Sequence, residues 1–175
     1  IDYFAYAVAM SREGIFPSGY ILTNFGWPSF VSIFFTFAKD ADMLTLMDLQ
    51  RILSIIISTL TIIPIYFLTK IFFKKQIALL ATILFLFDPR IIQNSIAGIT
   101  DSLFILLTVL TLLFIFYKKS SLIYLSFIFV ALATFVRYEG IVLIIPLLVS
   151  YVLKNKQEKI PNIKLLVGIS LFLII

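Results

Sequence analysis

Apolar runs separated by short lysine-bearing gaps constrain this chain more than any other feature. Every lysine except Lys39 lies in one of three gaps, formed by Lys70, Lys74 and Lys75, by Lys118 and Lys119, and by Lys154, Lys156, Lys159 and Lys164. Eight of the nine acidic residues lie at the opposite ends of the runs: Asp2, Glu13, Asp40, Asp42, Asp48, Asp88, Asp101 and Glu139, with only Glu158 among the lysines. Lysine gaps alternating with apolar runs predict a multi-pass membrane protein whose lysine side is cytoplasmic. Acidic residues do little to set orientation, so their concentration on the outer face needs a second explanation.

Hydrophobic residues make up 62% of the chain and charged residues 13%, about half the charged share of soluble domains. The net charge of +5 comes from the cytoplasmic lysines, which argues for anionic lipid headgroups as partners and against nucleic acid. With no Cys and no His, thiol chemistry, imidazole base catalysis and the usual zinc sites are excluded. A metal held here would take carboxylate oxygens, which points to magnesium or manganese. The sequence begins at Ile1 and stops inside the apolar run Leu165 to Ile175, which reads as a fragment of a longer protein.

A helix needs about 20 apolar residues to span a bilayer. Ile52 to Phe73 meets that length and carries Pro64, which should kink it. Ile77 to Phe87, Ser102 to Tyr117, Leu122 to Val136 and Ile141 to Leu153 follow as shorter runs, and a further one begins near Ile163. The expected architecture is an all-α integral membrane bundle, with residues 51–175 forming one continuous domain of about five spans plus the start of a sixth. Residues 1–50 read as an outer loop of interfacial amphipathic helices, with Tyr20 and Trp27 as headgroup anchors. A loop of that length favours a functional role.

Short runs leave two readings for the outer ends. They stop below the surface and line a cleft floored by Asp88, Arg90, Asp101, Arg137 and Glu139, or those residues cap helices at headgroup level. Asp2, beside Tyr3 and Tyr6, is placed either as a general base toward an acceptor hydroxyl or as a carboxylate favouring a helix N-terminus. Thr100 or Asp101 suits an N-cap, yet the loop between Asp88 and Asp101 also holds Arg90, Gln93 and Asn94 and is more polar than capping requires. Arg137 must pair, snorkel or bind an anion, because charge near hydrocarbon is expensive. Glu139 offers a partner, and a lipid phosphate offers a match to the guanidinium fork. Arg51 joins the same site or snorkels.

The order of these features resembles a known group. Asp2-Tyr3-Phe4, Arg51-Ile52-Leu53-Ser54, Phe87-Asp88-Pro89, Gly98-Ile99-Thr100-Asp101-Ser102 and Val136-Arg137-Tyr138-Glu139-Gly140 together resemble membrane glycosyltransferases of the GT-C fold. The similarity is greatest to the dolichyl-phosphate-mannose protein mannosyltransferase and lipid A aminoarabinose transferase group. It implies a cell-membrane enzyme with its site on the non-cytoplasmic face, moving a sugar from a polyprenyl-phosphate donor to a protein, glycan or lipid acceptor. It implies Asp2 as catalytic base and Asp101 as a second polar contact to sugar or acceptor. Arg137, with Arg51 and Arg90, would hold the donor phosphate, supported by Tyr138, Glu139 and Asp88. The family often carries an Asp-Glu pair where this chain has Asp2-Tyr3. The competing readings are an oligosaccharyltransferase-like subunit using carboxylate-bound metal, and a transporter or flippase. Transport predicts charges near mid-span, and the mid-span regions here are almost free of charge.

Overall fold

A computed structural model describes residues 2–14, 24–117, 122–158 and 170, leaving aside the side chains of Asp2 and residues 154–158. Tyr20, Lys118, Lys119, Lys159, Lys164 and the apolar run from Ile163, apart from residue 170, lie outside the described residues. The described residues are helical and contain no strand. In chain order the helices are α1 (Asp2–Glu13), α2 (Gly26–Thr36), α3 (Met43–Leu60), α4 (Ile62–Phe72), α5 (Lys75–Leu86), α6 (Pro89–Ala97), α7 (Asp101–Phe116) and α8 (Ile123–Val136). A 3-10 segment, Tyr138–Leu143, then leads into α9 (Ile144–Glu158).

The long apolar helix begins earlier than the hydrophobic run. Asp42 sets its start as N-cap, with its carboxylate accepting from the Thr45 amide at 3.3 Å and from the Thr45 hydroxyl. Residues 43–50 are therefore its first two turns and not a separate interfacial helix. Together α3 and α4 make 30 residues, Met43–Phe72, long and apolar enough to cross a membrane. The irregularity expected from Pro64 falls at Thr61, between the two helices. Pro64 has no N–H to offer the Leu60 carbonyl one turn back, so the ladder lapses there. The Thr61 hydroxyl donates to the Ile57 carbonyl at 2.8 Å and eases the break.

Helices α5 and α6 meet at a bend of 49° and count as one broken span or a re-entrant pair. Asp88 and Pro89 make the bend: Pro89 occupies the first helical position, and the Asp88 carboxylate accepts from the amides of Arg90 (2.8 Å) and Ile91 (3.2 Å). Helix α7, α8 and the stretch Tyr138–Leu153 are apolar but shorter than a full span. Sixteen residues reach about 24 Å at 1.5 Å per residue, less than the roughly 30 Å hydrocarbon core. The five spans expected from the sequence thus appear, among the described residues, as one full-length candidate, one bent pair and three shorter apolar helices.

Three contacts fix the direction of packing. Gln50 and Ser54 midway along α3 meet Gly98 and Ser102 around the start of α7, and Phe72 at the end of α4 meets Phe116 at the end of α7 with ring centroids 5.0 Å apart. The α3–α4 helix and α7 therefore run parallel, and α8 returns beside α7. Helices α1 and α2 pack on this frame through a core of Ala7, Val8, Trp27, Val31, Phe35, Leu46, Ile57, Leu103 and Leu107.

Trp27 corrects an expectation. It is 1% exposed, its ring stacked on Phe30, and so it is a core residue and not a headgroup anchor. The reason is Gly26: a Cβ there would lie 2.6 Å from the Val136 Cα, so only glycine lets α2 seat against the end of α8. The outer surface of α3–α5, by contrast, is apolar and exposed at Ile52, Ile55, Ile63, Phe67, Leu80 and Leu84.

Candidate active site

Two pairs of residues, each 48 positions apart, set the height of the site. The Gln50 amide donates to the Gly98 carbonyl at 2.6 Å. One turn further along α3, the buried hydroxyls of Ser54 and Ser102 share a hydrogen bond of 2.8 Å. Gly98 ends α6 in the left-handed region at φ 68°, a conformation that suits glycine at a helix C-terminus. The chain turns there and starts α7 at once, so Asp101 stands in the first turn of a helix pinned to α3.

Asp101 does not act as a cap. Thr100 holds the N-cap position without a side-chain cap bond, and the Asp101 carboxylate serves other partners. One oxygen accepts from the Asn94 amide at 2.6 Å, and the other from the Arg137 guanidinium. Arg137 lies in extended backbone between α8 and the 3-10 segment, so its side chain leaves the bundle axis and reaches back across to α7. Glu139 takes the rest of the fork, accepting from Nη2 at 2.9 Å and from Nε at 3.4 Å. The guanidinium carbon lies 5.5 Å from the centroid of the Phe104 ring, a cation–π contact. The side chains of Arg137 and Asp101 are 33% and 23% exposed, so the pair is only partly screened by solvent.

Gly140 makes this corner. A Cβ on it would meet the Thr134 amide nitrogen at 2.5 Å, so the 3-10 segment folds against the last turn of α8 only with glycine at this position. Next along the corner, the Tyr138 amide donates to Asn24 at 3.2 Å, while the Tyr138 ring is exposed.

Of the residues singled out in the sequence, Asp101, Arg137 and Glu139 form one cluster, with Tyr138 beside it. Two carboxylates face one guanidinium, leaving a single net negative charge. Arg51 pairs with Asp48 at 3.0 Å on an exposed face of α3, and makes no ion pair to the cluster. Arg90 is exposed, and its guanidinium has no partner among the described residues. Asp88 is engaged as the α6 cap. Asp2 opens α1, and its side chain lies outside the described residues. Sequence reasoning named Asn94 only as a polar neighbour, quoted Ser54 and Ser102 only as members of longer motifs without a role, and passed over Asn24. A legible signal existed for part of this: Gln50, Ser54 and Ser58 recur every four residues along one face of α3.

Among the described residues no three carboxylates converge on one point. Asp101 and Glu139 are both bonded to the arginine between them, so these two carboxylates do not fit a divalent cation.

The sequence matches the dolichyl-phosphate-mannose-protein mannosyltransferase family over residues 43–175, which takes in α3 to α9 and the whole Asp101–Arg137–Glu139 cluster. The chain belongs to that family. Membership supports a membrane glycosyltransferase of the mannosyltransferase type. Residues 1–42, with Asp2, lie outside the matched stretch. No curated protein and no solved structure gives a significant match.

Proposed function

We propose that the protein transfers a sugar from a polyprenyl-phosphate donor to an acceptor hydroxyl at the non-cytoplasmic face of a membrane. Residues 43–175 then form one multi-pass membrane domain, and residues 1–42 an outer segment before it. Family membership supports the reaction class. The observation that carries the reading is the fork of Arg137, held between Asp101 and Glu139 at the end of the bundle where α7 starts and α8 stops.

A polyprenyl phosphate presents oxygens to a guanidinium much as a carboxylate does. Glu139 is the more exposed of the two partners, at 39% against 23% for Asp101. A donor phosphate therefore replaces the Glu139 arm, while Asp101, braced by Asn94, keeps the fork oriented. Arg51 and Arg90 are further contacts for the phosphate or its headgroup region, with Tyr138 and Asp88 in support.

The chemistry needs a base and a cation on opposite sides of the sugar. The acceptor hydroxyl gives its proton to a carboxylate, for which Asp2 is the assigned group, and its oxygen bonds to the anomeric carbon. The bond from that carbon to the phosphate oxygen breaks, and the leaving phosphate keeps the electron pair. Arg137 meets the charge that grows there. Arg137→Ala in the full-length enzyme should raise KM for the donor by about tenfold to a hundredfold, the loss expected for hydrogen bonds to a charged group. An unchanged KM rejects the phosphate role.

A further inference from the structure

Arg137 has one partner that carries no charge. Asp101 and Glu139 take N–H groups from its guanidinium, while the guanidinium carbon sits over the Phe104 ring, 5.5 Å from its centroid. The negative face of an aromatic ring attracts a cation most where water is partly excluded, and the Arg137 side chain is 33% exposed. Phe104 is itself partly buried and packed against the core that α1 and α2 share with α3 and α7. Asp101 and Phe104 stand three residues apart in α7, so one helix face carries both the carboxylate and the ring. The Ser54–Ser102 bond pins that turn to α3.

The ring matters when the donor arrives. If phosphate takes the place of Glu139, Asp101 is left holding the guanidinium through Nη1. A fork held by one N–H group can swing about that bond. Two parallel bonds to a phosphate need the fork oriented beforehand. A ring fixed by packing supplies the second point of support. It does so without consuming an N–H group that phosphate needs, and without adding a negative charge that would repel it.

We propose that Phe104 is a positioning residue, holding the Arg137 fork in place for the donor phosphate through its ring face. The inference rests on the phosphate reading above and deepens it. Asp101 fixes one side of the fork, Phe104 fixes the charge over the ring, and the side bonded to Glu139 is the one left to exchange.

The test measures binding of sugar-free dolichyl phosphate to the full-length protein in nanodiscs by calorimetry, so it does not depend on turnover. Phe104→Leu keeps an apolar side chain and removes the ring, and should weaken binding about threefold to tenfold. Phe104→Tyr restores a ring and should bind as wild type does. Mono-, di- and trifluorinated phenylalanine placed at position 104 separates charge from packing, because fluorine drains the ring face with little change of shape. Affinity should fall step by step along that series. A flat series overturns the proposal even if Phe104→Leu binds poorly, since the ring then acts by packing alone. A loss with Phe104→Tyr as large as with Phe104→Leu overturns it too. Failure of wild type to bind dolichyl phosphate overturns the phosphate reading, and this inference with it.

Discussion

Arg137 reaches across from the end of α8 to bind Asp101 at the start of α7, a carboxylate 36 residues earlier in the chain. This one pair joins two turns that sequence distance keeps apart, and it turns two helix ends into a site. Both side chains are between a fifth and a third exposed, which limits what the pair contributes to stability. Asp101→Ala should therefore destabilise the protein by only about 1–2 kcal/mol, read from thermal unfolding in detergent. Asp101→Asn, which keeps shape and a carbonyl acceptor, should cost less. A loss well above this range would make the pair a structural keystone.

Gly26 and Gly140 are where the frame around that pair is tightest. Each would bring a Cβ within 2.6 Å of backbone atoms in the last turn of α8 if changed to alanine. Backbone cannot move aside as a flexible side chain can, so each substitution should destabilise by about 1–3 kcal/mol. Gly14 is the control, because a Cβ there meets nothing within 4 Å and only its φ of 71° resists change. Melting temperatures of the three alanine variants check this. Equal small losses at all three would contradict the close approach.

Ser54 and Ser102 share a buried hydrogen bond between α3 and α7. Ser54→Ala leaves the Ser102 hydroxyl without that partner and should cost about 1–2 kcal/mol. Adding Ser102→Ala should recover part of the loss, because neither hydroxyl is then stranded. A double-mutant cycle measures the coupling, and strict additivity of the two changes would show that the bond contributes nothing.

Asp42 caps the long helix, and its carboxyl is held below the usual carboxylate range, first by the Thr45 hydroxyl and then by the Thr45 amide. A carboxyl lowered in this way stabilises the cap above its unfolded value of about 3.9 and loses that effect as pH falls through its folded value. The amides at the start of α3 should accordingly exchange faster with solvent in acid than in neutral solution, after correction for intrinsic rates. Asp42→Asn should flatten that pH dependence. No change in the variant would remove Asp42 from the cap.

The helical class and the ends of α7 and α8 were legible because apolar runs bounded by Lys, Asp and Arg mark helix ends directly. The start of α3 was not. Met43 to Gln50 is amphipathic enough to read as a separate interfacial helix, and only the Asp42 cap shows that the chain enters the long helix there. Trp27 was misread because a tryptophan beside proline resembles an interfacial anchor, and the Gly26–Val136 approach that buries it is a long-range contact. For the site, the polar stretch from Asp88 to Asp101 was visible, but it was read as a loop where Pro89–Ala97 is helix α6, and its division of labour was not legible. Asp88 caps while Asp101 bonds, and the difference lies in where Arg137 and Asn94 arrive in space.

The central claim is sugar transfer from a polyprenyl-phosphate donor with Asp2 as the base. The most direct measurement incubates the full-length protein in nanodiscs with radiolabelled dolichyl-phosphate mannose and an acceptor extract, comparing wild type with Asp2→Asn. Label should move to the acceptor with wild type and stop with Asp2→Asn, while the variant inserts and binds donor normally. Full transfer by Asp2→Asn would contradict the assignment of the base, and no transfer by well-folded wild type would contradict the account as a whole.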